Sequence, residues 1–215
     1  MLTIERAKEL LTTTTTEPHL LLHAMNVSVA MGGLAAHFGE DKEHWMAVGY
    51  LHDYDYEQHP DDHLDYTAEP LREAGVSEEE IRAILSHGYT LRNDVEPVTN
   101  MEKSLFTVDE LTGIIQAAAR MRPAGITDME IGSFMKKFKD KKFAAKCNRD
   151  VIKQGCEMLG MEVKEVAAIV IEAMKAGELD LHFIEVMTCP EGCVSGGGQP
   201  KLLMDTDRAE AYAAR

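Results

Sequence analysis

His52 and Asp53 put an imidazole next to a carboxylate at the end of an apolar helical run, within Gly49-Tyr50-Leu51-His52-Asp53-Tyr54-Asp55-Tyr56. Neighbouring helix residues point about 100° apart, so such a pair cannot lean on one small ion from mid-helix. At a fraying end followed by the loop-like Tyr/Asp/Gln/His/Pro segment it can. Four further residues are candidates to arrive there. His23 sits beside the apolar stripe Leu20, Ala24, Val27, Met31, Leu34, Phe38, on a helix whose start is signalled by Thr16-Glu17-Pro18, with Thr16 as N-cap. His87 closes a helix over residues 77–87, opened by a Ser-Glu-Glu-Glu capping box and stopped by Gly88. His63 ends the acidic loop before a helix expected over residues 64–74. Asp109 interrupts the stripe Leu105, Val108, Thr112, Ile115 of a helix opened at Asn100, and a carboxylate aimed into a core is costly unless paired or coordinated. His19, one turn before His23, and His59, four residues before His63, compete for the same roles.

The elements that must position these groups read as helices throughout. No Val/Ile-rich alternation calls for a sheet, and there is no internal repeat. A first helix over residues 3–11 precedes a five-threonine linker, 12–16, and Asp41 caps the helix leading into the motif. Thr127-Asp128-Met129-Glu130 reads as a capping box, and helices over 143–159 and 163–176 complete the bundle. The only basic run, Lys136, Lys137, Lys139, Lys141 and Lys142, is either a solvated face or a docking patch for an acidic substrate or partner. The chain has 215 residues, enough for one sizeable helical core and an appendage, and 37 acidic against 22 basic residues give a formal charge of −15. Such a charge argues against a general binder of nucleic acid or of an anionic membrane surface. The charged amphipathic start does not resemble a signal peptide, and no uninterrupted apolar run approaches the roughly 18 residues of a membrane span. A cytoplasmic location is therefore expected, with the four cysteines as thiols or metal ligands rather than disulfides. Cys147 and Cys156 fall on opposite faces of an expected helix and read as small buried residues.

The ordered set Leu22-His23-Ala24, Leu51-His52-Asp53, His63, Ser86-His87-Gly88 and Val108-Asp109-Glu110-Leu111-Thr112-Gly113 resembles the HD superfamily of metal-dependent phosphohydrolases, over roughly residues 15–175. The resemblance implies an all-α fold, an HD-domain helical bundle over residues 17–176. It implies that His23, His52, Asp53 and Asp109 hold one metal, and that His63 and His87 add a second or bind phosphate. Position in the family pattern favours His23 over His19 and His63 over His59. One or two divalent transition ions are expected, and a mixture of imidazole and carboxylate ligands suits Mn, Fe, Co, Ni or Zn better than Ca or Mg. The implied reaction is hydrolysis of a small, nucleotide-like or other phosphate mono- or diester. Asp53 would position the attacking water, while His63 and His87, with Lys103 or Arg92, would meet the phosphate charge. Self-association into a homo-oligomer is left open.

Residues 177–215 form a short, mostly irregular Cys/Gly-rich tail, and within it Glu185–Pro200 is similar to the C-terminal cluster-binding motif of iron-only hydrogenases: Glu-x-Met-x-Cys-x-x-x-Cys-x-x-Gly-Gly-Gly-Gln-Pro. That resemblance implies Cys189 and Cys193 as ligands of an iron–sulfur cluster. The other two cysteine motifs of a hydrogenase are missing from this sequence, and a four-iron cluster normally takes four thiolates, so neither a bound cluster nor hydrogenase activity is expected. Two other functional classes stay in view: a di-iron HD oxygenase using the same six ligands, and a non-catalytic metal- or nucleotide-binding protein whose tail contacts an iron–sulfur partner.

Overall fold

A computed structural model describes residues 1–180, which form one compact unit. The expected cysteine ligands Cys189 and Cys193 lie outside the described residues. The fold is all-α, and among the described residues the elements run α1 Ile4–Leu11, α2 Pro18–Phe38, α3 Lys42–Leu51, α4 Ala68–Glu73, α5 Glu78–Ser86, α6 Asn100–Arg120, α7 Ile131–Lys139, α8 Arg149–Leu159 and α9 Val163–Asp180.

Helix α2 is the centre of the bundle, packed by α3, α6 and α9. Its stripe residues Ala24, Val27, Met31 and Leu34 are buried, as are Ala30 and Ala35 on its flanks. On length and composition alone α2 could cross a membrane. Being covered on three sides accounts for its apolarity here. Helix α6 is the second long element; Leu105, Val108, Leu111, Ile114 and Ile115 pack inward and leave Asp109 on the flank toward α2. A capping box, Thr99 with Glu102, fixes where α6 begins, and Ser77 with Glu80 does the same for α5. Glu80 is buried and also accepts from the Leu2 amide at 2.6 Å and from His44 Nε2 at 2.9 Å, so one carboxylate ties the N-terminus, α3 and α5 together.

Several local expectations are corrected. Thr16 does not cap α2: Glu17 occupies the cap position without a side-chain bond, and Thr16 instead bonds Glu57 through its amide and its hydroxyl. The threonine run, by contrast, is the non-helical link between α1 and α2 that was expected, and it is packed, with Thr15 buried and the Thr14 hydroxyl donating to the Tyr54 carbonyl in the motif loop. The helix expected over 64–74 is only α4, because Leu64 adopts φ +80 in the left-handed region and the chain turns through residue 67. The Thr127–Glu130 capping box does not form: Asp128 pairs with Arg122 and Glu130 stands at the α7 N-cap without a side-chain bond. Helix α8 starts at Arg149 rather than at residue 143, capped by Asn148. The guanidinium of Arg149 gathers the carbonyls of Phe138, Asp140, Phe143 and Ala144, holding the preceding segment in turns. Cys147 is consequently off the helix and only Cys156 is a core residue.

Candidate metal centre

Each histidine is aimed by the element that carries it. His52 is the C-cap of α3 and donates Nδ1–H to the Gly49 carbonyl at 2.8 Å; His87 is the C-cap of α5 and donates Nδ1–H to the Ile84 carbonyl at 2.6 Å. The last carbonyls of a helix have no intrahelical partner, so the imidazole satisfies one while its Nε2 is left facing inward. His63, in the loop after α3, donates Nδ1–H to Asp55 Oδ1 at 2.6 Å. The same buried carboxylate accepts from the amides of Leu64 (2.9 Å) and Tyr66 (3.1 Å). Asp55 thus clamps the left-handed turn and orients His63, a part that its place in the Asp53-Tyr54-Asp55 run hinted at but that sequence reading left unassigned. His23 from α2 and Asp109 from α6 meet across the bundle, Nε2 to Oδ1 at 2.9 Å.

All six residues expected as ligands converge, and Asp53 stands between them. Its Oδ2 lies 3.3 Å from His52 Nε2 and 3.6 Å from His23 Nε2, while its Oδ1 lies 3.2 Å from His63 Nε2 and 3.8 Å from His87 Nε2. Donor atoms of His23, His52 and Asp109 fall within 4.8 Å of one another, as do those of His52, Asp53 and His87. One carboxylate therefore faces two adjoining groups of ligands, a disposition suited to one or two ions. The fit to a cation is shown most directly by His52 Nε2: it is fully buried, has no hydrogen bond, and points at two carboxylate oxygens that are not aligned to receive a proton.

Without an ion, protons take the cation's part. Burial disfavours charge on His52, yet Asp53 and Asp109 beside it carry its pKa well above the ordinary imidazole value. Burial also opposes ionisation of the two carboxylates, but His52 and His63 hold Asp53 far below the carboxylate range, and His23 and His52 do so for Asp109. His63 is raised to about 9, burial being outweighed by hydrogen bonds to Asp53 and Asp55. His87 is lowered to about 4 by burial and by the neighbouring His52 and His63. The two rings meet Nε2 to Nε2 at 3.1 Å, so protonated His63 donates to neutral His87. A divalent ion would displace such protons.

The cluster opens into a cavity of about 450 Å³ lined by, among others, Tyr56, Leu91, Arg92, Gln116, Arg120 and Cys147. Arg92, expected to contact substrate, does border it, but its guanidinium is held by the carbonyls of Asp61 (2.9 Å) and Pro60 (3.2 Å). Lys103 is not among the lining residues; it lies one and two-thirds turns before Asp109, on another face of α6. Arg120 is the cation that sequence reading missed, though its register with Asp109, eleven residues on, is visible in the sequence. His19 sits at the cavity edge, largely exposed, and His59 stacks on Tyr66 at 4.0 Å; neither joins the cluster. Cys147 borders the cavity and Cys156 is in the core, and burial pushes their thiols up to about 11 and about 12, which keeps both protonated.

Two families match the chain: the HD domain over residues 20–114, and the iron only hydrogenase large subunit, C-terminal domain, over residues 78–197. Among curated proteins, the chain is similar to the periplasmic [Fe] hydrogenase large subunit of Nitratidesulfovibrio vulgaris, 33% identical over 114 residues, covering 47% of this chain and 25% of the relative. It is also similar to the cytosolic Fe-S cluster assembly factor narfl of Danio rerio, 45% identical over 40 residues, covering 19% of this chain and 10% of the relative. Cytosolic iron-sulfur assembly component 3 of Mus musculus matches at 45% over 40 residues, 19% of this chain and 8% of that protein. The chain thus spans a quarter or less of these relatives. No solved structure matches significantly. All six converging residues, His23 to Asp109, fall inside the HD match, and Cys189 and Cys193 fall inside the other. The chain therefore carries an HD domain over residues 20–114, and over residues 78–197, more than half its length, belongs to the family of the iron only hydrogenase large subunit, C-terminal domain.

Proposed function

We propose that the chain is a metal-dependent phosphohydrolase of the HD type, acting on a small phosphate mono- or diester. The observation that carries this is the placement of Asp53 between the two ligand groups, at the floor of a cavity that also holds Arg92 and Arg120. A divalent ion supplies Lewis acidity toward a phosphoryl oxygen and a water of lowered pKa. The chain's own contribution is positioning and charge. Asp53 orients the attacking water or receives its proton. His63 and His87, whose Nε2 atoms face the cluster, meet phosphate charge when His63 carries a proton there, or help hold a second ion once that proton is lost. In a chain of formal charge −15, this local assembly is what makes an anionic substrate acceptable. The test is to strip the protein, add Mn, Co or Ni, and screen nucleotides and other phosphate esters. Activity is expected to vanish in His52→Ala and Asp53→Ala, and undiminished turnover in both would sink the reading.

The two adjoining donor groups around Asp53 favour a second reading, a di-iron oxygenase built on the same six residues. Anaerobic loading with ferrous iron, followed by iron quantitation, separates the two. Binding of less than about one iron per chain removes the oxygenase, whose site needs two.

A further inference from the structure

Residues 109, 113, 116 and 120 on α6 are spaced i, i+4, i+7 and i+11, which is one face of a helix, and all four line the cavity. The row begins with the ligand Asp109. At Gly113 the backbone is bare and Cys147 packs against it, since a Cβ there would come 2.9 Å from Cys147 Sγ, and both residues line the cavity. Gln116 follows, and Arg120 stands at the far end. Eleven residues rise roughly 16 Å along the axis, and helical side chains lean back toward the N-terminus, so the guanidinium lies roughly 10 Å from the cluster. A basic residue in a last helical turn is common, since it complements the helix dipole. What sets Arg120 apart is its place on the Asp109 row and in the cavity wall. Arg92 is committed to two loop carbonyls, and the nearby Glu110 carboxylate is turned to the Asn148 amide at 2.8 Å. Among the described residues Arg120 has no hydrogen bond or ion pair and is exposed.

We propose that Arg120, with Gln116 before it, binds a second anionic group of the substrate, so that the ester taken here carries a phosphate or carboxylate at the end remote from the scissile phosphate. The inference rests on the hydrolase reading and narrows its substrate class. Arg120 acts on specificity: a guanidinium meets a terminal oxyanion with charge-assisted, two-pronged hydrogen bonds, and the amide of Gln116 serves the intervening chain.

Hydrolysis-resistant probes test this by binding alone. Isothermal titration calorimetry of manganese-loaded protein compares straight-chain alkyl monophosphonates, α,ω-bisphosphonates of three to eight carbons, and phosphonocarboxylates of the same lengths. At the best length, the second anion is expected to tighten binding about ten- to hundredfold. Arg120→Gln should collapse that ratio to within about threefold and Arg120→Lys should restore part of it. Lys136→Gln, an exposed charge outside the cavity lining, should leave the ratio intact. Equal gain from the phosphonocarboxylates identifies recognition of charge, and gain from bisphosphonates alone identifies a terminal phosphate; either supports the proposal. Equal binding of mono- and dianionic probes at every length, or the same loss in Lys136→Gln, overturns it. If monophosphonates bind and esters are hydrolysed while the second anion adds nothing, only the role of Arg120 falls. If no phosphonate binds and no ester is turned over, the hydrolase reading falls and takes this inference with it.

Discussion

Replacing Asp55 by alanine removes the acceptor of three donors at once: His63 Nδ1–H, and the amides of Leu64 and Tyr66. The first two are buried and would be left without a partner, at about 1–3 kcal/mol each, whereas the partly exposed Tyr66 amide can turn to water. The sum is about 4 kcal/mol. For a chain of this size each kcal/mol moves the melting temperature by about 2–4 °C, so the drop should be about 8–16 °C. Asp55→Asn keeps one acceptor oxygen and should lose about 1–2 kcal/mol. The burial that raises the Asp55 pKa is outweighed by its bonds to His63 and Leu64, so the group is depressed in the fold. Its contribution is present above the unfolded carboxylate pKa and fades as pH falls through the lower folded value. The gap between wild type and variant should therefore narrow in acid. Because Asp55 orients only His63, metal titration of Asp55→Asn should, where two ions bind, show one equivalent weakened about 10- to 100-fold and the other unchanged. Thermal melts together with titration calorimetry measure both. A melting shift below about 3 °C for Asp55→Ala, or equal weakening of both equivalents, would refute the assignment of Asp55 as the clamp.

Further expectations follow from the same geometry. His63, raised to about 9 from 6.5, stabilises the ion-free fold fully below pH 6.5 and loses that contribution as pH rises through about 9. Chelation should thus lower the melting temperature more at pH 8.5 than at pH 6, and manganese binding at pH 7 should release a proton, read as buffer-dependent calorimetric enthalpy. Glu80→Gln should cost about 2 kcal/mol, seen as a lower denaturant midpoint, because buried Glu80 accepts from Leu2, Ser77 and His44 together. Gly155→Ala should cost about 1–3 kcal/mol, since a Cβ there would lie 2.0 Å from Thr107 Oγ1 where α8 crosses α6.

What was legible in the sequence was whatever local chemistry decides. Asp41 and Ser77 behave as helix caps because their side chains settle the matter within four residues. The six candidate ligands were legible from their order in the family pattern, helped by His52 and His87 standing at helix ends and Asp109 interrupting an apolar stripe. Leu64 was not: nothing about a leucine announces φ +80, and the turn exists because Asp55, nine residues away, holds it. Arg149 likewise suppresses an expected helical stretch by collecting five carbonyls, those of Phe138, Asp140, Phe143, Ala144 and Cys147, an effect that no periodicity of the sequence displays. The Thr127–Glu130 box lost to an ion pair between Asp128 and Arg122. Arg120 is concealed for a different reason: it is tied to Asp109 only by the helical period, three turns beyond the motif.

His52 and His87 each end their own helix with the ring that faces the cluster. Two duties are thereby fused in one side chain, so they cannot drift apart under mutation. An insertion or deletion in the last turn of α3 or α5 forfeits the helix-end bond and the inward-facing ring together. Selection for a well-ended helix preserves the ligand even through periods when the chemistry is unused. A lineage could abandon the reaction and keep the constellation intact, ready to be taken up again by a different substrate.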